Sequence, residues 1–266
     1  METLLVSRES KKENTVVSVG GFSVGSGNLS FIAGPCSVDD YETTLAIAKK
    51  VKASGATLLR GGAFKPRTSP YAFQGLGKEG LQILSAAGKE AGLPVVSEIT
   101  DISQLDYFEN IDILQIGARN SRNYELLRAV GKTDKPVILK RGMGDTAHEI
   151  LQSAEYIAMG GNTNIILCER GIRSFDNSMR NTFDVGAIIT LKEMSHLPVI
   201  ADPSHAAGIR EPIPALAFAA VAAGADGIML EVHINPEKSL SDSEQALTPK
   251  EFEEIVKKSK AIKAAL

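Results

Sequence analysis

The sequence predicts a single (β/α)8 TIM barrel with an N-terminal β-hairpin extension. Three observations carry that expectation. Eight short apolar runs, rich in Val and Ile, recur through residues 29–266. Longer stretches with helical periodicity separate most of them. The runs are apolar on both faces, which suits a parallel sheet covered by helices. Eight strand–helix units in about 235 residues match the usual size of such a barrel. A doubly wound sheet is the alternative, but no Gly-rich dinucleotide fingerprint accompanies the runs.

Taken in order, the segment TVVSVGGFSVGSGN (15–28) reads as a hairpin with Gly-rich turns, placed to plug the N-terminal mouth of the barrel. The dozen residues before it are expected to be loose. Strands are expected at 29–35, 57–63, 94–100, 113–118, 136–141, 164–170, 198–204 and 226–234. Helices are expected at 40–54, 78–91, 146–159, 181–194 and 212–223. Gly-Leu-Pro at 92–94 and His-Leu-Pro at 196–198 punctuate helix-to-strand turns. A last helix over 248–265 opens on Thr248, with Pro249 and Glu251 in its first turn. With no composition break after the hairpin, the expected division is an extension over 1–28 and one catalytic barrel over 29–266.

Composition narrows the function classes. The 266 residues hold 29 Lys+Arg against 32 Asp+Glu. That acidic balance argues against nucleic acid as a partner, so any basic site must be local. No apolar run approaches the roughly 20 residues that span a bilayer, and the first residues lack the apolar core of a signal peptide. Two cysteines, Cys36 and Cys168, make no disulfide framework. The expected location is therefore a reducing cytoplasm, with no membrane partner.

In a barrel of this kind the site stands at the C-terminal strand ends. Here nearly every predicted strand end carries an ionisable residue. They are Cys36, then Arg60 with Lys65 and Arg67, then Glu98, then Arg119. Lys140 and Arg141, Glu169 and Arg170, Asp202 and His205, and Glu231 and His233 follow. Any one of these is a weak signal, since lone charges at strand ends are commonly solvated; together they favour one convergent site. Arg60, Lys65, Arg67, Arg119, Lys140 and Arg170 form a cationic subset. Guanidinium groups match phosphate and carboxylate oxygens in pairs, and Lys adds a compact charge. Six cations in one pocket repel one another unless anions bind, so polyanionic ligands are expected. Cys36, His205, Glu231 and Asp242 form a thiolate–imidazole–carboxylate set that suits a borderline divalent ion such as Mn, Fe, Co or Zn. Cys36 taken alone is as readily a small core residue. His148 and His196 read as structural, and Cys168 as strand packing.

The chain resembles the 3-deoxy-D-arabino-heptulosonate 7-phosphate (DAHP) synthase family, in its short form that shares ancestry with 3-deoxy-D-manno-octulosonate 8-phosphate synthase. The resemblance runs from about residue 15 to the C-terminus. It rests on IAGPCS (32–37), RGGAFKPRTSPYAFQGLG (60–77), QIGARN (115–120), LKRGM (139–143), CERGIR (168–173), DPSHAAG (202–208) and LEVH (230–233). The sister enzyme usually reads KANRSS where this chain has KPRTSP, which favours the four-carbon aldehyde over arabinose 5-phosphate.

The resemblance implies metal ligands at Cys36, His205, Glu231 and Asp242. It implies phosphoenolpyruvate contacts at Arg60, Lys65, Glu98, Arg119, Lys140 and Arg170. It places erythrose 4-phosphate contacts at Lys65, Arg67, Thr68 and Ser69, and leaves His233 as a metal neighbour or a phosphate contact. Lys65 is the implied proton donor, Glu98 positions or activates water, and Cys36 and His205 serve catalysis through the divalent ion. One departure is Ser243, where the family usually has Gly after the last ligand; a Gly of positive φ there would make Asp242 the least secure ligand. A homodimer or homotetramer is expected. No feedback through an attached domain is expected, and regulation by a separate partner protein stays open. A Schiff-base aldolase using Lys140, or a phosphosugar-binding module without catalysis, are the rival readings.

Overall fold

The computed structural model describes residues 3–67 and 69–266. Strands β1 (Val17–Val19) and β2 (Phe22–Val24) pair antiparallel as the hairpin. Eight parallel strands then close into a barrel: β3 (Ser30–Gly34), β4 (Leu58–Arg60), β5 (Val95–Ile99), β6 (Ile113–Ile116), β7 (Val137–Lys140), β8 (Ile165–Glu169), β9 (Val199–Ala201) and β10 (Gly227–Glu231). Each pairs with the next in sequence, and β10 closes on β3 with Gly227 opposite Ser30 and Glu231 opposite Gly34. The outer helices are α1 (Tyr41–Ala53), α2 (Lys78–Ala91), α3 (Tyr124–Val130), α4 (Ala147–Ala158), α5 (Val185–Met194), α7 (Ile213–Ala222) and α8 (Pro249–Ala265), with a short α6 (Pro203–Ala207) directly after β9.

Side chains alternate along each strand, and that period of two builds the interior. One residue set points inward and packs as a dry layer: Ile32, Leu58, Val96, Ile113, Ile138, Ile166, Ile200 and Met229, with Val17 and Val24 of the hairpin beneath them. The hairpin therefore plugs the N-terminal mouth, as its sequence predicts. The opposite set, among it Phe31, Leu59, Leu114, Leu139, Leu167 and Leu230, packs against the helices. Two residues beyond these positions the same inward parity falls on Gly34 in β3 and otherwise on Arg60, Glu98, Gln115, Lys140, Cys168, Asp202 and Glu231. Alternation alone thus converts the apolar floor into a polar rim at the C-terminal face.

Helix ends follow their caps. Thr146 and Thr248 each accept from the N–H three residues on, while Glu149 and Glu251 reach back, making capping boxes at α4 and α8. Helix α5 begins at Val185 rather than 181, because Asp184 caps it and Thr182 instead bridges to Ile172. The seven-residue α3, capped by Asn123, has too little periodicity to be predicted. After β9 the chain turns at once into α6, since Asp202 caps it and Pro203 occupies its first turn.

The segment before the hairpin departs from expectation: it is tied down. Val6 is 1% exposed. The N–H groups of Leu5 and Val6 donate to the Glu155 carboxylate at 2.9 and 3.2 Å. Ser195 Oγ donates to the Val6 carbonyl, and His196 bridges the Leu5 carbonyl and Thr15 Oγ1. A polar N-terminal sequence is anchored here through its backbone, a contact composition does not reveal. Among the described residues no helix is long and apolar enough to cross a membrane.

Candidate active site

The polar rim opens into a cleft of about 440 Å³. Seven cationic side chains and only two carboxylates line it among the described residues: Lys65, Arg67, Arg119, Lys140, Arg170, Arg173 and Arg180 against Glu98 and Asp242. Like charges held this close favour an anionic occupant.

Two layers build it. The deeper is a chain of buried ion pairs. Glu231, 1% exposed, accepts from Arg60 Nη1 at 2.8 Å, and its other oxygen accepts from Gln245 at 2.5 Å. His205 Nε2 lies 3.1 Å from the Glu231 oxygen that pairs with Arg60. His205 Nδ1 lies 2.7 Å from Asp202 Oδ2, which also pairs with Lys140 Nζ. Burial alone would raise both carboxyls; His205 with Lys140 holds Asp202, and His205 with Arg60 holds Glu231, well below the usual carboxylate range. Both therefore stay ionised at neutral pH.

The upper layer is the loop after β4. It folds back on itself through Lys65 N to the Gln74 carbonyl (3.0 Å) and Gly77 N to the Ala63 carbonyl (2.9 Å). Gly75 takes φ +90°, and a Cβ there would sit 2.0 Å from the Ala63 carbonyl oxygen, so only glycine closes this loop. The folded loop turns Lys65 inward, and Nζ donates to the Cys36 carbonyl (2.9 Å) and to Cys36 Sγ (3.0 Å). Arg67 and Ser69 also line the cleft, while Thr68 lies outside the described residues.

Cys36, His205 and Glu231 each offer one donor atom, all within 4.8 Å of one another. Asp242 Oδ2 is 3.0 Å from Cys36 Sγ. Asp202 on Nδ1 orients His205 so that Nε2 faces the other donors. One sulfur, one imidazole nitrogen and one carboxylate oxygen gathered this closely fit a borderline divalent ion, with Asp242 at the edge of the group beside Cys36. Without the ion, burial pushes the Cys36 thiol up to about 12, with Glu231 adding to the shift. Ser243 opens a short 3-10 turn, and Asp242 before it takes the left-handed conformation at φ 51°. Asp is one of the few side chains that tolerate it.

Other predicted residues are placed as follows. Lys140, Arg119 and Arg170 reach the cleft. Arg170 is tied by its guanidinium to the His205 carbonyl at 3.0 Å. Glu98 faces the cleft and accepts from Gln115 at 3.2 Å. Arg60 lies beneath the cleft at 4% exposure, occupied with Glu231 and the Pro35 carbonyl, while its Nε has no acceptor among the described residues. His233 stands apart from this cleft: it pairs with Asp39 at 3.2 Å and lines a separate hollow beside α1. Arg141 and Glu169 have the opposite strand parity; they pair with each other at 2.9 Å behind the barrel wall, together with Asp184. Sequence reasoning missed Arg173, Arg180, Asn181 and Gln245 as parts of the site. They belong to the loops after β8 and β10, where no periodicity marks them.

Comparison with known proteins agrees with this arrangement. Residues 9–266 match the family described as "DAHP synthetase I family". The chain belongs to that family. It is 49% identical over 263 residues to phospho-2-dehydro-3-deoxyheptonate aldolase of Thermotoga maritima, covering 98% of this chain and 78% of that protein. The crystal structure of the Thermotoga maritima protein superposes with a TM-score of 0.96 at 48% identity, over 100% of this chain and 78% of that one. A truncated form of the Thermotoga maritima synthase superposes with a TM-score of 0.92 at 45% identity, over 98% and 96%. The 2-dehydro-3-deoxyphosphooctonate aldolase of Desulfosudis oleivorans is more distant, at 35% identity over 272 residues, covering 95% and 96%.

Within this family frame, Gly117 becomes a test of Glu98. Its φ of –70° suits any residue, but a Cβ there would come 1.9 Å from Glu98 Oε1. The mobile carboxylate end would yield, so the fold should hold while the carboxylate moves. Gly117→Ala is expected to leave the melting temperature nearly unchanged and to lower turnover by about 10²-fold, the cost of an ångström-scale misplacement. Unchanged turnover would remove Glu98 from the reacting centre.

Proposed function

We infer that the protein condenses phosphoenolpyruvate with erythrose 4-phosphate and water, giving DAHP and phosphate. This is the first step of the shikimate route to aromatic amino acids. The carrying observation is the cationic cleft set against a Cys–His–Glu donor cluster, in a chain 49% identical to a named heptonate aldolase. The 35% identity to an octonate aldolase makes arabinose 5-phosphate the second reading.

In this reading Arg119, Lys140 and Arg170 hold the phosphate and carboxylate of phosphoenolpyruvate. Lys65 is shared between both substrates. Arg67 and Ser69, with Thr68, hold the phosphate of the sugar. Arg60 acts from below, keeping Glu231 ionised and fixed. Cys36, His205, Glu231 and Asp242 would hold a divalent ion, whose chemistry is Lewis-acid polarisation of the aldehyde. The cleft aligns C3 of phosphoenolpyruvate with the aldehyde carbon, which supplies proximity. As that bond forms, Lys65 Nζ hands a proton to the developing alkoxide. Glu98 takes a proton from the water that adds at C2, and phosphate leaves by C–O cleavage. We also read residues 1–28 as an extension and 29–266 as the catalytic barrel, in a cytoplasmic homo-oligomer.

Mass spectrometry of the product tests this reading: the expected species is a seven-carbon 3-deoxy-2-keto acid phosphate, with one phosphate released per product. Chelator should stop its formation, and Mn, Co or Zn should restore it. Cys36→Ala should bind these ions far more weakly while staying folded. Full activity after chelation would exclude the ion from the reaction.

A further inference from the structure

Asp202 does more than cap a helix. Its Oδ1 accepts from the His205 N–H at 3.0 Å, and this completes the cap of α6. A Ser or Asn would serve there equally well. The other oxygen is the unusual one. Oδ2 receives His205 Nδ1 at 2.7 Å and Lys140 Nζ at the same time. The carboxylate is fully buried and Lys140 is 4% exposed, so solvent does not screen this sharing. Beyond His205, Nε2 faces Glu231 at 3.1 Å in the donor cluster. Beyond Lys140 lies the anion cleft. A single oxygen atom therefore joins the two halves of the site.

We propose that Asp202 is a positioning residue that couples phosphoenolpyruvate binding to divalent-ion binding, through the competition of Lys140 and His205 for its Oδ2. The proposal rests on the reading that Lys140 contacts phosphoenolpyruvate and His205 holds the ion. The sign follows from electrostatics. A phosphate or carboxylate that draws the Lys140 ammonium off Oδ2 leaves the full carboxylate charge on the His205 N–H. That makes Nε2 a stronger donor to an ion. Phosphoenolpyruvate should thus tighten ion binding, and by linkage the ion should tighten phosphoenolpyruvate by the same factor.

The test is Mn2+ titration of the metal-free full chain against a chelating dye, with and without saturating phosphoenolpyruvate. In the wild type the ligand is expected to tighten Mn2+ about fivefold or more. Asp202→Asn should bind Mn2+ about 10–100-fold more weakly, and the factor between the two titrations should fall close to one. A factor retained in a folded Asp202→Asn would overturn the proposal, as would a wild-type factor of one. Lys140→Met separates the underlying reading: unchanged phosphoenolpyruvate binding there would remove Lys140 from the anion site, whatever Asp202 does. If Asp202→Asn does not fold, the Nδ1 proton resonance of His205 in the metal-free wild type decides. A shift on adding phosphoenolpyruvate supports the coupling, and an unmoved resonance overturns it.

Discussion

Lys65→Met is expected to lower turnover by about 10²–10⁴-fold, the contribution of a positioned general acid, while the thermal transition stays close to that of the wild type. The reason is local. Lys65 Nζ stands 3.0 Å from Cys36 Sγ, at the edge of the donor cluster. It also lines the cleft where both substrates are proposed to meet. Its position is fixed by the backbone closure of the loop at Gly75 and Gly77, which does not involve the ammonium. Met keeps most of the length of the side chain and removes only charge and proton. Steady-state kinetics would then show a loss concentrated in kcat. A loss confined to KM would make Lys65 a binding group alone. Wild-type rates would remove it from the reaction.

The second large effect is expected at Glu231, and it falls on stability as well as chemistry. Glu231→Ala leaves the Arg60 guanidinium buried without its carboxylate. It also strips a hydrogen-bond acceptor from Gln245. Breaking a buried pair by removing one partner costs about 3–5 kcal/mol, read as a lowered midpoint in denaturant unfolding. The double replacement Arg60→Met with Glu231→Leu removes both charges and should recover much of that loss, because well-packed apolar side chains commonly replace a buried pair at little cost. It should nonetheless bind no divalent ion at the cluster and make no product. Equal instability of the single and double variants would show that the pair is not what Glu231→Ala breaks.

Most of the barrel was legible because its signals are periodic. Eight runs apolar on both faces, separated by stretches of helical period and closed by a helix that opens on Thr248, leave little choice of architecture. The donor cluster was legible by residue type and by resemblance, although its members come from the loop after β3, from α6, from β10 and from the loop beyond. What the sequence hid was parity and loop shape. Lys140 and Arg141 are adjacent, yet one points into the barrel and the other pairs with Glu169 behind its wall. Counting strand-end charges does not separate them; counting alternate residues from Ile138 does. His233 lies two residues past Glu231 but follows the chain out of the strand to Asp39. Arg173 and Arg180 sit in an irregular loop, so only its folded course brings them to the cleft. Asp202 was visible as a strand-end charge, but its link between Lys140 and His205 needed coordinates.

This cleft is proposed to join phosphoenolpyruvate to a four-carbon aldehyde phosphate with the help of a divalent ion. Phosphate release from phosphoenolpyruvate, measured side by side with erythrose 4-phosphate and arabinose 5-phosphate and with and without chelator, tests it most directly. The expected result is rapid release with erythrose 4-phosphate, little with arabinose 5-phosphate, and none after chelation. Faster release with arabinose 5-phosphate, or release unaffected by chelator, would contradict it.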